Sequence, residues 1–139
     1  MPRDFNSENE LLRDFVAPGS PATAAPAAVP SVADVLRAAR KLIANQDDWC
    51  TGALSRPKDN GGLQHCARGA LLKVQGIDWM GEISPAEIFL AEFSETEVSW
   101  PFHTVAGRIA GHNNTLGHAA TLRMFDRAIA AAEASPCNA

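Results

Sequence analysis

The chain reads as an all-α protein, a compact bundle of about five short helices behind a disordered N-terminal arm. Three features point there. Apolar residues make up 46% of the 139, enough for a real core. They recur at helical spacing in segment after segment. Large and β-branched residues are sparse: there are six Phe, three Trp and no Tyr, which argues against a sandwich or barrel.

Three regions follow, an arm at 1–30, a helical domain at 31–135 and a tail at 136–139. Residues 17–30 read APGSPATAAPAAVP. Proline fixes φ and lacks a donor, so this stretch is an extended linker. Ahead of it Phe5, Leu11, Leu12, Phe15 and Val16 dot a polar segment too short for a stable isolated helix. It reads either as a frayed terminus or as a tethered recognition peptide.

Ser31 is the expected cap of the first helix, with Asp34 beside the positive end of its dipole. Val32, Val35, Leu36, Ala39, Leu42 and Ile43 form one stripe, with Arg37 and Lys41 opposite. Asp47 or Asp48 should cap a short helix through Trp49–Leu54, followed by a polar loop, SRPKDNGG. A second helix is expected over Leu63–Val74, stopped by Gly76. Ser84-Pro85-Ala86-Glu87 is a capping box with Pro at the first helical position, flanked by Ile83 and Ile88 at staple spacing. A short helix to about Phe93 follows. The next is expected over Pro101–Ala110, with Phe102, Val105, Ala106, Ile109 and Ala110 on its inner face and Gly111 at its end. His112-Asn113-Asn114 has turn chemistry. Thr115 is expected to cap the last helix, which runs to Ala134 with Leu122, Phe125, Ile129 and Ala132 inside.

The formal net charge is −4, a poor start for a nucleic-acid partner. The charge is uneven. Residues 34–73 hold seven basic and four acidic side chains, whereas 78–97 hold six acidic (Asp78, Glu82, Glu87, Glu92, Glu95, Glu97) and no basic one. That pattern reads either as two solvated faces or as an acidic surface for a basic partner. Trp79, Met80, Trp100 and Pro101 flank it, as interface anchors or as core. The three cysteines, Cys50, Cys66 and Cys137, are loosely spaced, so no disulfide framework is expected. With no secretory leader and no membrane-length apolar run in view, the expected location is the cytoplasm.

Two turns look alike, Trp49-Cys50-Thr51-Gly52-Ala53-Leu54 and Cys66-Ala67-Arg68-Gly69-Ala70-Leu71. Glycine inside a helix needs a packing reason. Gly52 and Gly69 are therefore expected to let two backbones approach, with Cys50 and Cys66 as small buried hydrophobes beside them and Trp49 as a structural anchor. These two motifs, a late Asn113-Asn114-Thr115 turn and the closing Asp126-Arg127-Ala128-Ile129 resemble a family of small uncharacterised bacterial and phage proteins, over roughly Ser31–Ala134. Members of that family have Asn-Asp in the late turn and an acidic residue three after the Thr, where this chain has Asn113-Asn114 and His118. The resemblance implies a fold but no activity.

Four chemistries are open to these residues. A thiol enzyme would use Cys50 at a helix start, with His65, His103, His112 or His118 as base; Cys50, His65 and His112 are its candidate set. A metal site could draw on Cys50, His65, Cys66, His112 and His118, yet there is no C-x-x-C and no i, i+4 His pair, so neither metal nor cofactor is expected. Asn60-Gly61-Gly62 at a helix start, near Arg56, Lys58 and Arg68, could hold an anion but lacks phosphate-loop spacing. The fourth reading, a non-enzymatic adaptor, is the one the sequence favours. Its contact residues would be Phe5, Leu11, Leu12, Phe15, Glu82, Glu87, Glu92, Glu95, Glu97 and Trp100, and its partner another protein. A phage inhibitor of a host defence or regulatory complex is one form of it, and a homodimer another assembly it allows.

Overall fold

A computed structural model of the chain describes residues 30–77, 83–96 and 104–134. The arm with Phe5, Leu11, Leu12 and Phe15, the residues Asp78, Trp79, Met80, Glu82, Glu97, Trp100, Pro101, Phe102 and His103, and the tail with Cys137 lie outside the described residues. Among those described, the elements are α1 (Val32–Leu42), β1 (Ser55–Pro57), β2 (Leu63–His65), α2 (Ala67–Gln75), α3 (Pro85–Ala91), α4 (Val105–Leu116) and α5 (His118–Ala134). The protein is mainly helical, with a small antiparallel hairpin in place of one expected helical turn.

Local chemistry sets most helix starts. Ser31 Oγ accepts the Asp34 N–H at 3.1 Å. Thr104 Oγ1 accepts that of Gly107 at 2.9 Å. Ser84 Oγ accepts the Glu87 N–H, and the Glu87 carboxylate accepts the Ser84 N–H, completing the capping box. α2 ends at Gly76 in the left-handed region, φ 66°.

Among the described residues the core is a single cluster. Leu36 and Ile43 from the α1 side, Leu71 of α2, Leu90 of α3, Ile109 of α4, and Met124 and Phe125 of α5 are all fully buried. Alanines 33, 39, 67, 70, 86, 91, 128 and 132 fill the space between them and let helix axes come close. On α5 the buried stripe runs through Ala120, Thr121, Met124, Phe125, Ala128 and Ala132, while Leu122 and Ile129 pack at its margin. Arg40 forks onto Asp126 at 2.6 and 3.2 Å, and Arg37 bridges Asp34 and Glu133, fixing α1 along α5.

Four expectations are corrected. Residues 63–65 are a strand, paired Ser55↔His65, Arg56↔Gln64 and Pro57↔Leu63, and α2 begins only after Cys66. Asn60-Gly61-Gly62 therefore turns a hairpin and opens no helix. Its polar groups close on themselves, with Lys58 N–H to Gly62 O at 2.8 Å and Gly62 N–H to Asn60 Oδ1 at 3.0 Å. Trp49–Leu54 is not helical; Asn45 caps one 3₁₀ turn at Gln46–Asp48, after which the chain extends and Trp49 bridges His65 in parallel. Finally, α4 does not stop at Gly111. Gly111, His112 and Asn113 are buried inside it, and the break falls at Gly117, φ 94°. The turn chemistry of His112 and Asn113 loses because their side chains bond distant partners instead of their own backbone.

The paired-glycine expectation is half corrected. A Cβ on Gly69 would stand 1.8 Å from the Leu54 carbonyl oxygen, so the Trp49–Leu54 loop lies directly on the first turn of α2. Gly52 meets no such wall. It is exposed at φ 78°, and its role is to turn the chain. Gly69→Ala is expected to lower stability by about 3 kcal/mol, the upper range for overpacking against a backbone atom, read as a lower urea midpoint at unchanged slope.

Candidate functional site

The residues that the two look-alike turns and the late Asn pair contribute meet in one place. Asn113 is fully buried in α4. Its Oδ1 accepts the Trp49 indole N–H at 2.7 Å and the Ala67 backbone N–H at 3.0 Å. Its Nδ2 donates to the Cys50 carbonyl at 3.1 Å and to Asn114 Oδ1 at 3.0 Å. Asn114 Oδ1 also accepts the Gly52 N–H at 3.2 Å. One carboxamide thus fastens the loop, the start of α2 and the middle of α4. The Trp49 ring packs on His118 at 5.2 Å, and His118 Nε2 donates to the Ile43 carbonyl at 2.7 Å. Local preference puts Asn113 in a turn; its place among the recurring motifs is the one sequence signal of this role.

Cys50 and Cys66 are both buried and free. The Cys50 thiol donates to the Ala53 carbonyl at 3.6 Å. Burial pushes it above the ordinary thiol range, and the neighbouring Cys66 adds to that. Cys50 is on no helix, and the Arg56 charge opposes the rise without cancelling it. Cys66 caps α2, its sulfur accepting the Gly69 N–H at 3.3 Å; burial still raises its pKa, against the pull of these amides and of Arg68.

His112 is fully buried, and both ring nitrogens are engaged. Nδ1 accepts the Glu95 N–H at 3.0 Å, so Nε2 carries the proton and donates to the Ala120 carbonyl at 2.8 Å. It has no lone pair left to serve a thiol. His65 is 7% exposed with Nδ1 unpartnered, and burial followed by the Lys73 charge lowers its pKa. Cys50 and His65 are joined through backbone, Cys50 N–H to His65 O at 3.1 Å, while His112 belongs to a separate network. Among the described residues no group of three or more His, Cys, Asp or Glu side chains could hold a metal ion.

Of the described acidic residues, Glu87 leaves the expected docking surface. It is fully buried, and its Oε1 accepts from Arg68 Nε at 2.8 Å, because the capping box turns its carboxylate inward to the start of α2. Glu92 and Glu95 are exposed, Glu95 paired with Arg127 at 2.8 Å. On the same segment Ile83 and Ile88 are 38% and 47% exposed. A separate cavity of about 250 Å³ opens beside the Asn113 junction, lined by Leu54, Cys66, Arg68, Ala106, Ala110 and Asn114 among others.

Fold and junction together define a small helical domain in which the Trp49–Leu54 loop and the hairpin are sewn to the helices through a buried asparagine. The chain belongs to a family of unknown function, DUF6197, whose family model matches residues 27–131. No curated protein and no solved structure matches it. No described helix is long and apolar enough to cross a membrane.

Asn113→Ala would strand the Trp49 indole, the Ala67 amide and the Cys50 carbonyl without partners. At about 1–3 kcal/mol for each buried orphan, the loss should exceed about 3 kcal/mol, whereas Asn114→Ala, at the exposed edge, should cost about 1 kcal/mol; urea unfolding of the two variants checks this ordering. His65 gives a pH dependence. Its folded pKa lies below the ordinary value of 6.5, so as pH falls through that value the unfolded chain takes up the proton first. Melting temperature should therefore drop from pH 7 to pH 5, and drop less in His65→Asn.

Proposed function

We propose that this protein is a non-catalytic binding protein that engages another protein through the outer face of α3. The observation that carries the reading is the pair of large aliphatic side chains, Ile83 and Ile88, left in solvent on a segment whose exposed charges are the carboxylates of Glu92 and Glu95. An apolar centre with an acidic rim suits a partner surface of apolar side chains ringed by Lys or Arg. The acidic excess around it continues in sequence to Glu82 and Glu97, with Trp100 beyond. A tethered segment carrying Leu11, Leu12 and Phe15 would add a second contact, and occupying a host defence or regulatory complex is one form such binding takes.

The interior supports this reading by what it uses up. Both nitrogens of His112, the full carboxamide of Asn113 and the Glu87 carboxylate are engaged within the fold. A thiol enzyme built on Cys50 is the weaker reading, because its sulfur is buried, held by Ala53 and pushed toward the protonated form.

The test is affinity capture with the full chain as bait, beside Ile88→Arg/Glu92→Lys and a control, Leu116→Arg, which alters an exposed leucine on α4. A partner retained by the wild type and the control but released by the α3 double variant is the expected result, with binding weaker by at least about tenfold and falling as salt rises. Equal retention by all three baits would refute the assignment of the face.

A further inference from the structure

Two buried free thiols, Cys50 and Cys66, directly follow the bridge that joins the Trp49 loop to the strand before α2, and the binding role uses neither. Trp49 pairs with His65 in parallel, and the Cys50 N–H donates to the His65 carbonyl at 3.1 Å. Both chains are extended there, Trp49 at φ −113°, ψ 144° and Cys66 at φ −82°, ψ 177°. In parallel pairing the next residue on each chain falls alongside the other, on the opposite side from the first pair. Cys50 and Cys66 are those residues. A pairing continued from that single bridge would set their Cα atoms about 4.8 Å apart, within the separation of about 4.4–6.8 Å that a disulfide spans.

The two cysteines are almost equally buried, at 4% and 5% exposure, and differ in setting. Cys66 lines the cavity of about 250 Å³ beside Arg68 and Asn114, and its sulfur already receives the Gly69 N–H at the start of α2. A thiolate formed there meets a backbone amide, the positive end of a helix and a nearby guanidinium. Cys50 is not among the residues lining that cavity.

We infer that Cys66 and Cys50 form an exchanging dithiol, with Cys66 accepting a low-molecular-weight disulfide through this cavity and Cys50 closing an internal bond. Cys66 loses its proton, and its sulfur attacks one sulfur of the small disulfide. That S–S bond breaks, and one small thiolate departs and is protonated. The Cys50 thiolate then attacks the Cys66 sulfur and expels the second small thiol. Two protein thiols are oxidised and one small disulfide is reduced to two thiols. Burial raises both thiol pKa values, so exchange is slow at neutral pH and rises about tenfold per pH unit below the thiol range.

The experiment uses the full chain carrying Cys137→Ser, incubated with oxidised glutathione at neutral and mildly alkaline pH. It is then unfolded in an alkylating quench, digested and read by mass spectrometry. The expected product is a Cys50–Cys66 linked peptide, formed faster at the higher pH. Cys50→Ser should hold one glutathione on Cys66, and Cys66→Ser none on Cys50. Full alkylation of both cysteines, or adduct formation on Cys50 as fast as on Cys66, overturns the inference. The linked peptide is read in a chain with both thiols intact, so misfolding of either serine variant, seen by circular dichroism, does not touch that measurement, which then decides alone.

Discussion

A carboxamide taken out of water needs partners for two donors and two acceptor lone pairs, and Asn113 finds them on three different parts of the chain. The rest of the irregular region depends on that requirement. With the Cys50 carbonyl and the Trp49 indole tied to α4, the loop can take only one path, over the first turn of α2. That path is open because Gly69 has no side chain to block the Leu54 carbonyl. The same carbonyl then accepts the Cys66 N–H at 3.1 Å, while Asn113 takes the N–H of Ala67. Both donors stand at the start of α2, where no intrahelical partner exists. The Cys66 bond would not form if the loop sat about an ångström further out, beyond hydrogen-bond reach.

Around this junction the helices are held by ordinary means. Alanine-lined faces bring α1, α2 and α5 together over Leu36, Leu71 and Phe125, and volume is supplied by few large side chains. Such a core has little slack, so the polar fastenings carry an unusual share of the specificity. The buried Arg68–Glu87 pair is one of them. It links the start of α2 to the start of α3, and Glu87 keeps both carboxylate oxygens occupied, one by Arg68 and one by the Ser84 amide. Removing the arginine alone would leave a buried carboxylate half-paired, at a cost larger than the net worth of the pair, because the pair itself offsets its own desolvation.

How much of this is legible in the sequence follows from the range of each interaction. Caps and periodic stripes are local, so α1, the capping box of α3 and the body and end of α5 can be read from neighbouring residues. The hairpin cannot. Leu63, Gln64 and His65 fit a helical stripe as well as a strand, and what decides is pairing with Ser55–Pro57 across a loop. Asn113 misleads for the converse reason. Its local preference is a turn, and bonds to residues 46 to 64 positions away outweigh that preference. Glu87 shows both effects at once. Its capping role is visible, but its burial is not, because the arginine that neutralises it lies nineteen residues upstream. Of the candidate site, the thiols and the loop glycines are visible as a recurring pattern, and the residue that joins them is hidden among polar neighbours.

The outer face of α3 is rigid as well as exposed. α3 has seven residues, too few to be stable alone. Here its start is fixed by the capping box and by Arg68, its inner face by Ala86, Leu90 and Ala91, and its end by Phe89 packed on Phe93 at 5.5 Å. Arg127 donates to the Phe93 carbonyl at 2.9 Å and pairs with Glu95, so the segment after the helix is tied to α5 as well. Ile88 is thus held out to solvent by a helix that is already ordered. A partner docking there would not have to order the helix first, and that ordering is among the larger entropic costs of association. An aliphatic side chain on a floppy loop would signal little. The same side chain on a short helix locked from within is placed where the cost of binding it is low.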